Sequence, residues 1–430
     1  MRFFLAILLG KLIIKLTRLL KIGGGSAAPG LYALNIEPDL VEKLSRKIPK
    51  NIVITGTNGK TTTARMIAHF AKQQDLKIIR NHTGSNLERG IASSLIHNSS
   101  FMIHDSKFDL GIWELDEAAF NTVAPKLKPD VIIFLNVFRD QMDRYGEVDN
   151  VVKKWCDTLK NLAKNTVVLV NGDDINTKKL QGFFGGKVKT FGVKDYKIIG
   201  ESIQRLKEKE ELDFEAENVK LNGLKGSNFS SIINHQSLII NLPLPGIYHI
   251  YDFIAAFAAG LNLGLNPEKM SLSIKTFSPA FGRMEKLDFG YIFLIKNPAG
   301  ATQVFETIAP QLKPEDRLLV ALNDNLADGT DVSWIWDAEF ELLSRLPVRG
   351  PTALRLICSG KRAYDLAIRL KYAGFDPGTI QVEQDIKNAL KQAKNGLKGS
   401  LFVLPTYTAM LELQDILAKS GIKKNYWEET

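Results

Sequence analysis

The chain has 430 residues, enough for two or three domains with ample apolar core. Its two cysteines, Cys156 and Cys358, exclude a disulfide framework and a four-cysteine zinc site. The net charge of +9 is diffuse; it suits an anionic substrate or an anionic membrane surface as well as weak nucleic-acid contact, so charge alone assigns no partner.

The first predicted element is an amphipathic helix. FFLAILLGKLIIKLTRLLKI is rich in apolar residues, but Lys11, Lys15, Arg18 and Lys21 interrupt it, and a spanning helix needs about 20 nearly uncharged residues. Ser26-Ala27-Ala28 has the small residues of a signal cleavage site, yet a nucleotide site downstream points to a cytoplasmic protein. The helix is expected to pack on the body of the protein, with peripheral contact at the inner face of the membrane as the alternative. This lead-in is assigned to residues 1–47.

NIVITGTNGKTTTARMIAHF, from Asn51 to Phe70, is the most informative stretch. Ile52, Val53 and Ile54 read as a buried parallel strand, and Ala64, Met66, Ile67 and Phe70 recur at helical spacing. Between them Gly56, Thr57, Asn58 and Gly59 form a turn that aims backbone N–H groups and a helix N-terminus at one point, which attracts an anion. Lys60 would reach the β- and γ-phosphates of ATP, Thr61 would ligate Mg²⁺, and Thr62 continues the cradle. The spacing departs from the general P-loop, because Gly56 and Gly59 are three apart and Ile54 stands where that pattern has glycine.

Strand and helix patterns alternate after the loop. LKIIR (76–80), DLGIWEL (109–115), DVIIFLN (130–136) and NTVVLVN (165–171) read as strands of a doubly wound α/β sheet. From about 193 to 243 the pattern becomes charged and irregular, as in a small β-rich insertion, and DFIAAFAAGLNLGL then returns as a helix. A second alternating series follows, with strands in YIFLIK, RLLVALN, ALRLICS and SLFVLP. The expected division is an ATP-binding domain over 48–287 and a C-terminal α/β domain over 288–430.

Ligands of such sheets bind at the carboxyl ends of the strands. Glu114 closes one strand and is placed to hold Mg²⁺ directly or through water, the alternative being a solvated loop carboxylate. Asn136 closes the next and is followed by Arg139, Asp140, Asp143 and Arg144, a cluster that reads equally as site lining or as a solvated turn. Cys156 on a helix and Cys358 at a strand end read as core residues.

These residues resemble the Mur ligases. The resemblance is carried by GTNGKT, Glu114, Asn136 with its DQMDRYG sequel, VNGDD (170–174), TFG (190–192) and GRMEK (282–286). GGGSAAPG (23–30), WELDEAA (113–119), LIKNPAG (294–300), LNDNLADGTDVSWIWDAEFE (322–341), SGKRAYDLAIRLKYAG (359–374) and LPTYTAM (404–410) are similar, more narrowly, to the MurT family. The resemblance covers nearly the whole chain and implies a Mur ligase-like P-loop domain followed by a Rossmann-like C-terminal α/β domain.

It also implies a reaction: ATP phosphorylates the α-carboxylate of D-glutamate in the lipid II stem peptide, and ammonia from a GatD-type glutaminase partner converts the acyl phosphate to D-isoglutamine. By the same analogy Arg283 approaches the ATP phosphates. An aspartate of ADGTDVSWIWD completes the partner's Cys-His-Asp arrangement, with Asp337 preferred and Asp331 second. Asp337 is expected at the start of a helix, where it would also serve as an N-cap.

The chain departs from the family at several points. The MurT zinc ribbon is missing, since 193–243 contains no cysteine; no zinc is expected, and the insertion should be held by its own packing. Gln141 replaces the His of typical Mur ligases, and Lys154 is the nearest match to their carbamylated lysine. His249 and Asp252 stand in GIYHIYD where the family has Asn, and the position of Asp252 is one that often meets the adenine. A stand-alone Mur-type amino-acid ligase is the alternative function; LIKNPAG lacks the Asp and His that precede Asn-Pro in those enzymes. A non-catalytic nucleotide-binding scaffold is disfavoured by Lys60, Thr61 and Glu114 occurring together.

Overall fold

A computed structural model describes residues 1–19, 27–81, 85–99, 107–138, 148–199, 202–206, 210–233, 236–278, 283–344 and 354–421. Among them the larger sheet has nine strands: β1 Lys50–Thr55, β2 Ile78–Arg80, β3 Leu110–Glu114, β4 Val131–Phe134, β5 Val167–Asn171, β6 Lys187–Val193, and, beyond a separate hairpin of β7 Tyr196–Ile199 and β8 Ser202–Arg205, β9 Phe214–Leu221, β10 Ser227–Ile233 and β11 Gln236–Leu242. Their spatial order is β11-β10-β9-β6-β5-β4-β1-β3-β2, with the six strands from β2 to β6 mutually parallel.

The near-continuous apolar run of β1 follows from its central place, where both faces are covered. Ile52 and Ile54 face a core shared with the helices Lys60–Lys72 and Ile247–Asn262. Val53, between them, points to the opposite core, with Trp113, Phe120, Phe134 and Trp155. The helix Ile247–Asn262 is buried from His249 to Gly260, which explains why its sequence is apolar on all sides.

The stretch 193–243 does not stand on its own packing. β9 continues the sheet by pairing in parallel with β6, Phe191 opposite Phe214, and β10 and β11 extend it antiparallel. Ala216, Phe229, Ile240 and Leu242 are buried in the same core as Phe253 and Phe257. The alternation of strand residues was masked by charged residues on the exposed face, so the segment reads as irregular while it covers one end of the central sheet.

The second sheet contains β12 Arg283–Leu287, β13 Gly290–Phe293, β14 Arg317–Ala321, β15 Arg355–Ser359, β16 Ile380–Val382 and β17 Leu401–Pro405, ordered β12-β13-β17-β14-β15-β16. Its strands are parallel except for the β12–β13 hairpin. β12 therefore joins this sheet ahead of residue 288, where the sequence pattern places the start of the C-terminal domain. Apolar clusters lie on both faces. Cys358 is buried in one of them, and burial pushes its thiol up to about 12, in keeping with a core role.

The N-terminal helix Arg2–Leu19 packs on Ala28–Ile36 and Glu88–His97, burying Ala6 and Ile7 in the core that contains Val53. No helix among the described residues is long and apolar enough to cross a membrane.

Candidate active site

The loop after β1 sits at the carboxyl edge of the larger sheet. Gly56 and Gly59 have φ of 136° and 91°, a backbone region that side chains rarely adopt. Space gives a second reason for glycine: a Cβ on Gly59 would lie 2.1 Å from Asp252 Oδ1. Asn136, at the end of the strand beside β1, braces the loop. Its carbonyl accepts from Thr57 N (3.0 Å), its Oδ1 accepts from Asn58 N (2.8 Å), and its Nδ2 donates to Asn58 O (3.1 Å). The Thr57 hydroxyl accepts from Phe138 N at 3.0 Å.

The helix Lys60–Lys72 starts at Gly59 without a side-chain cap. The bond from Thr63 N to Gly59 O is 2.9 Å, so the amides of Lys60, Thr61 and Thr62 precede that turn and lie at the positive end of the helix dipole. Lys60 is buried; its ammonium donates to the carbonyls of Gly56 and Thr57 and lies 3.5 Å from Glu117. The Thr61 hydroxyl donates to Glu114 Oε2 at 2.6 Å. Glu114 is fixed from behind by Asn81, which accepts from Glu114 N and donates to Glu114 O, both at 2.9 Å. Burial holds the nearby Arg80 below the usual guanidinium range, against the opposing pull of Glu114.

These residues fit a nucleotide with its divalent cation. Two glycines leave room for backbone to approach a phosphate, a lysine stands at the same helix end, and a hydroxyl and a carboxylate meet at one strand end, the oxygen donors that a hard cation takes.

The second sheet closes over this loop. Asn58 and Asn297 exchange side-chain hydrogen bonds, Asn58 Nδ2 to Asn297 Oδ1 at 3.2 Å and Asn297 Nδ2 to Asn58 Oδ1 at 3.1 Å. Lys296 Nζ lies 3.5 Å from Thr57 O. Asn297 also caps the helix Pro298–Ile308 by accepting from Gly300 N at 2.8 Å. A cleft lined by Gly59, Asn136, Tyr248, Asp252, Lys296 and Gln303 runs between the two sheets. Asp252 is buried beside the loop, where it accepts from Thr63 at 3.5 Å and lies 3.2 Å from His249 Nδ1.

The other expected residues lie apart from this loop or outside the described residues. Arg283 begins β12, and its side chain lies outside the described residues, as do Arg139, Asp140, Gln141, Asp143 and Arg144. Lys154 is exposed on the helix Val148–Lys160. Asp337 does not start a helix: it ends the short 3₁₀ turn Ser333–Trp336. Ahead of that turn, Asp331 accepts from Ser333 N at 2.8 Å. Arg369 donates to the carbonyls of Ile335 and Ala338, at the end of this turn.

The Mur ligase middle domain family matches residues 54–260, and the MurT ligase C-terminal family matches 294–410. The chain is 30% identical to "Lipid II isoglutaminyl synthase (glutamine-hydrolyzing) subunit MurT" of Staphylococcus aureus (strain COL), over 98% of this chain and 99% of the relative. This chain belongs to the MurT family of Mur ligases. The identically named protein of Streptococcus pneumoniae (strain ATCC BAA-255 / R6) is also 30% identical, over 94% of each chain. A crystal structure of MurF from Acinetobacter baumannii shares the fold, with a TM-score of 0.68 at 16% identity over 90% of this chain and 79% of that one.

Membership makes the MurT-family chain a Mur-type, ATP-dependent ligase of peptidoglycan synthesis. Asn81, Glu117, Lys296 and Asn297 were not picked out as site residues from the sequence. Asn81 had a weak signal, a polar residue just beyond a strand. LIKNPAG was visible only as a family mark, because its contact with Asn58 spans 239 positions.

Proposed function

We propose that the chain amidates the α-carboxylate of D-glutamate in the stem peptide of lipid II, giving D-isoglutamine, as the synthetase subunit beside a GatD-type glutaminase. The observation that carries this reading is the extent of the likeness. It runs through the C-terminal third as well as the phosphate loop, in relatives named as a glutamine-hydrolysing isoglutaminyl synthase subunit.

The residues have distinct roles in it. ATP phosphates would lie against the amides that open the helix Lys60–Lys72, with Lys60 offsetting their charge, and Thr61 and Glu114 would hold Mg²⁺, which would supply electrostatic stabilisation of phosphoryl transfer. A carboxylate oxygen of the substrate attacks the γ-phosphorus and ADP leaves. Ammonia then attacks the acyl carbon, phosphate departs, and a proton is lost to give the amide. At neutral pH most ammonia is protonated and cannot attack, so a glutaminase delivering it directly has a chemical purpose. Neither zinc nor a nucleic acid enters the reaction.

The partner is assigned to a face of the second domain. Trp336, Tyr364, Ile368 and Tyr372 are all exposed. The last three recur every four residues on the helix Ala363–Tyr372, and Trp336 and Tyr372 stack edge to face at 5.7 Å. Aromatic residues grouped in this way suit a protein interface. Asp337, exposed next to Trp336, is the residue assigned to orient a histidine of the partner, with Asp331 as the second choice. Asp337→Asn should therefore suppress glutamine-driven amidation strongly and leave ammonia-driven amidation and complex formation nearly intact. Equal loss with both nitrogen sources would overturn the assignment, and ADP release driven by a free amino acid would instead indicate a stand-alone ligase.

A further inference from the structure

The N-terminal helix has more apolar surface than the protein covers. One side is packed: Ala6 and Ile7 are buried, and a Cβ on Gly10 would come within 2.8 Å of Ile96. On the other, Leu5, Leu8, Leu12, Leu16 and Leu19 are 53%, 67%, 51%, 46% and 76% exposed. Their spacing of three or four residues puts them in one stripe along the helix, and Phe4, 63% exposed, borders it. A contiguous apolar stripe of this kind marks an interaction surface.

We propose that this face lies in the interface of an anionic lipid bilayer, with the helix parallel to the surface and its inner side kept on the protein. Charge selects the occupant. Arg2, Lys11 and Lys15 accompany the stripe, and the helix contains no acidic residue. A second copy of the helix would bring like charges together, whereas anionic headgroups neutralise them while the leucines enter the acyl boundary. The inner side is packed on the protein, and no helix among the described residues is long and apolar enough to cross a membrane. The assignment stands independently of the amidation reaction, since it uses no residue of the nucleotide site.

The test is co-sedimentation of the full chain with vesicles of phosphatidylcholine, with and without phosphatidylglycerol, in the absence of ATP and peptidoglycan precursor. The chain should pellet with the phosphatidylglycerol vesicles. Leu8→Gln with Leu12→Gln should lower that partition about tenfold or more, and Lys11→Gln with Lys15→Gln should reduce it toward the level seen with phosphatidylcholine alone. All four side chains lie outside the core, so both variants should keep the wild-type circular dichroism and melting temperature. Unchanged partition in the leucine variant, or equal binding to both vesicle types, would overturn the proposal. So would a concentration-dependent dimer that the leucine variant abolishes without any vesicle binding.

Discussion

Arg369 is only 4% exposed, and its removal should unfasten the loop that carries Asp337. Its Nε donates to Ile335 O and its Nη2 to Ala338 O, each at 2.8 Å, and both Nη atoms reach Glu341 at 2.8 Å. The guanidinium also lies over Trp336 at 5.6 Å and Phe340 at 5.4 Å. Arg369→Leu keeps apolar bulk but removes every donor. Glu341 has 47% of its side chain exposed, so water replaces much of that pairing and its share is about 1 kcal/mol or less. The two carbonyls belong to buried residues, and hydrogen bonds from a charged donor contribute about 1.5–3 kcal/mol each. The expected loss is about 4 kcal/mol, which for a domain of this size lowers the melting temperature by roughly 15 °C. Tryptophan fluorescence during heating would follow it, since Trp334 and Trp336 lie in the affected turn. Below the melting point, glutamine-driven amidation should fall more than ammonia-driven amidation. A melting temperature within about 2 °C of wild type would refute the reasoning.

Three further outcomes follow from the same geometry. Lys60→Ala should reduce ATP-dependent turnover by about 10²-fold or more, because a buried cation at the phosphate loop is lost; normal ADP release with substrate and partner present would remove the site assignment. Asp174 is buried between β5 and the loop after β4, accepting from Val137 N and Asn176 N, and burial raises its carboxyl from 3.8 to about 6. Since protonation is favoured in the folded state, its contribution is full below about pH 3.8 and is lost as pH rises through about 6, on the order of 3 kcal/mol in all. Wild type should therefore lose stability relative to Asp174→Asn between pH 4 and about 7, and parallel melting curves would contradict this. Finally, zinc chelators should leave the melting temperature unchanged, because residues 193–243 contain no thiolate cluster; one tightly held zinc per chain by metal analysis would show the opposite.

The sequence by itself determined the phosphate loop and its two nearest chemical groups. A β-branched run, a glycine turn and Gly-Lys-Thr are local features, each with its own backbone consequence. Glu114 was legible as a metal-binding carboxylate from its place at a strand end, whereas its meeting with Thr61 rests on the parallel pairing of β1 with β3, which sets Ile54 opposite Glu114. Strand–helix alternation likewise specified two parallel sheets, since helices that cover both faces leave continuous apolar strands. What the tertiary structure alone decided depends on contacts between distant segments. Local propensity contains nothing about Asn297 meeting Asn58, Asp252 lying against Gly59, or β9 finding the free edge of β6. Asp337 shows the same limit at short range. The sequence pointed to a helix starting at Asp337, whereas the chain there ends a 3₁₀ turn, and the carbonyls of Ile335 and Ala338 accept from Arg369, a residue more than 30 positions away.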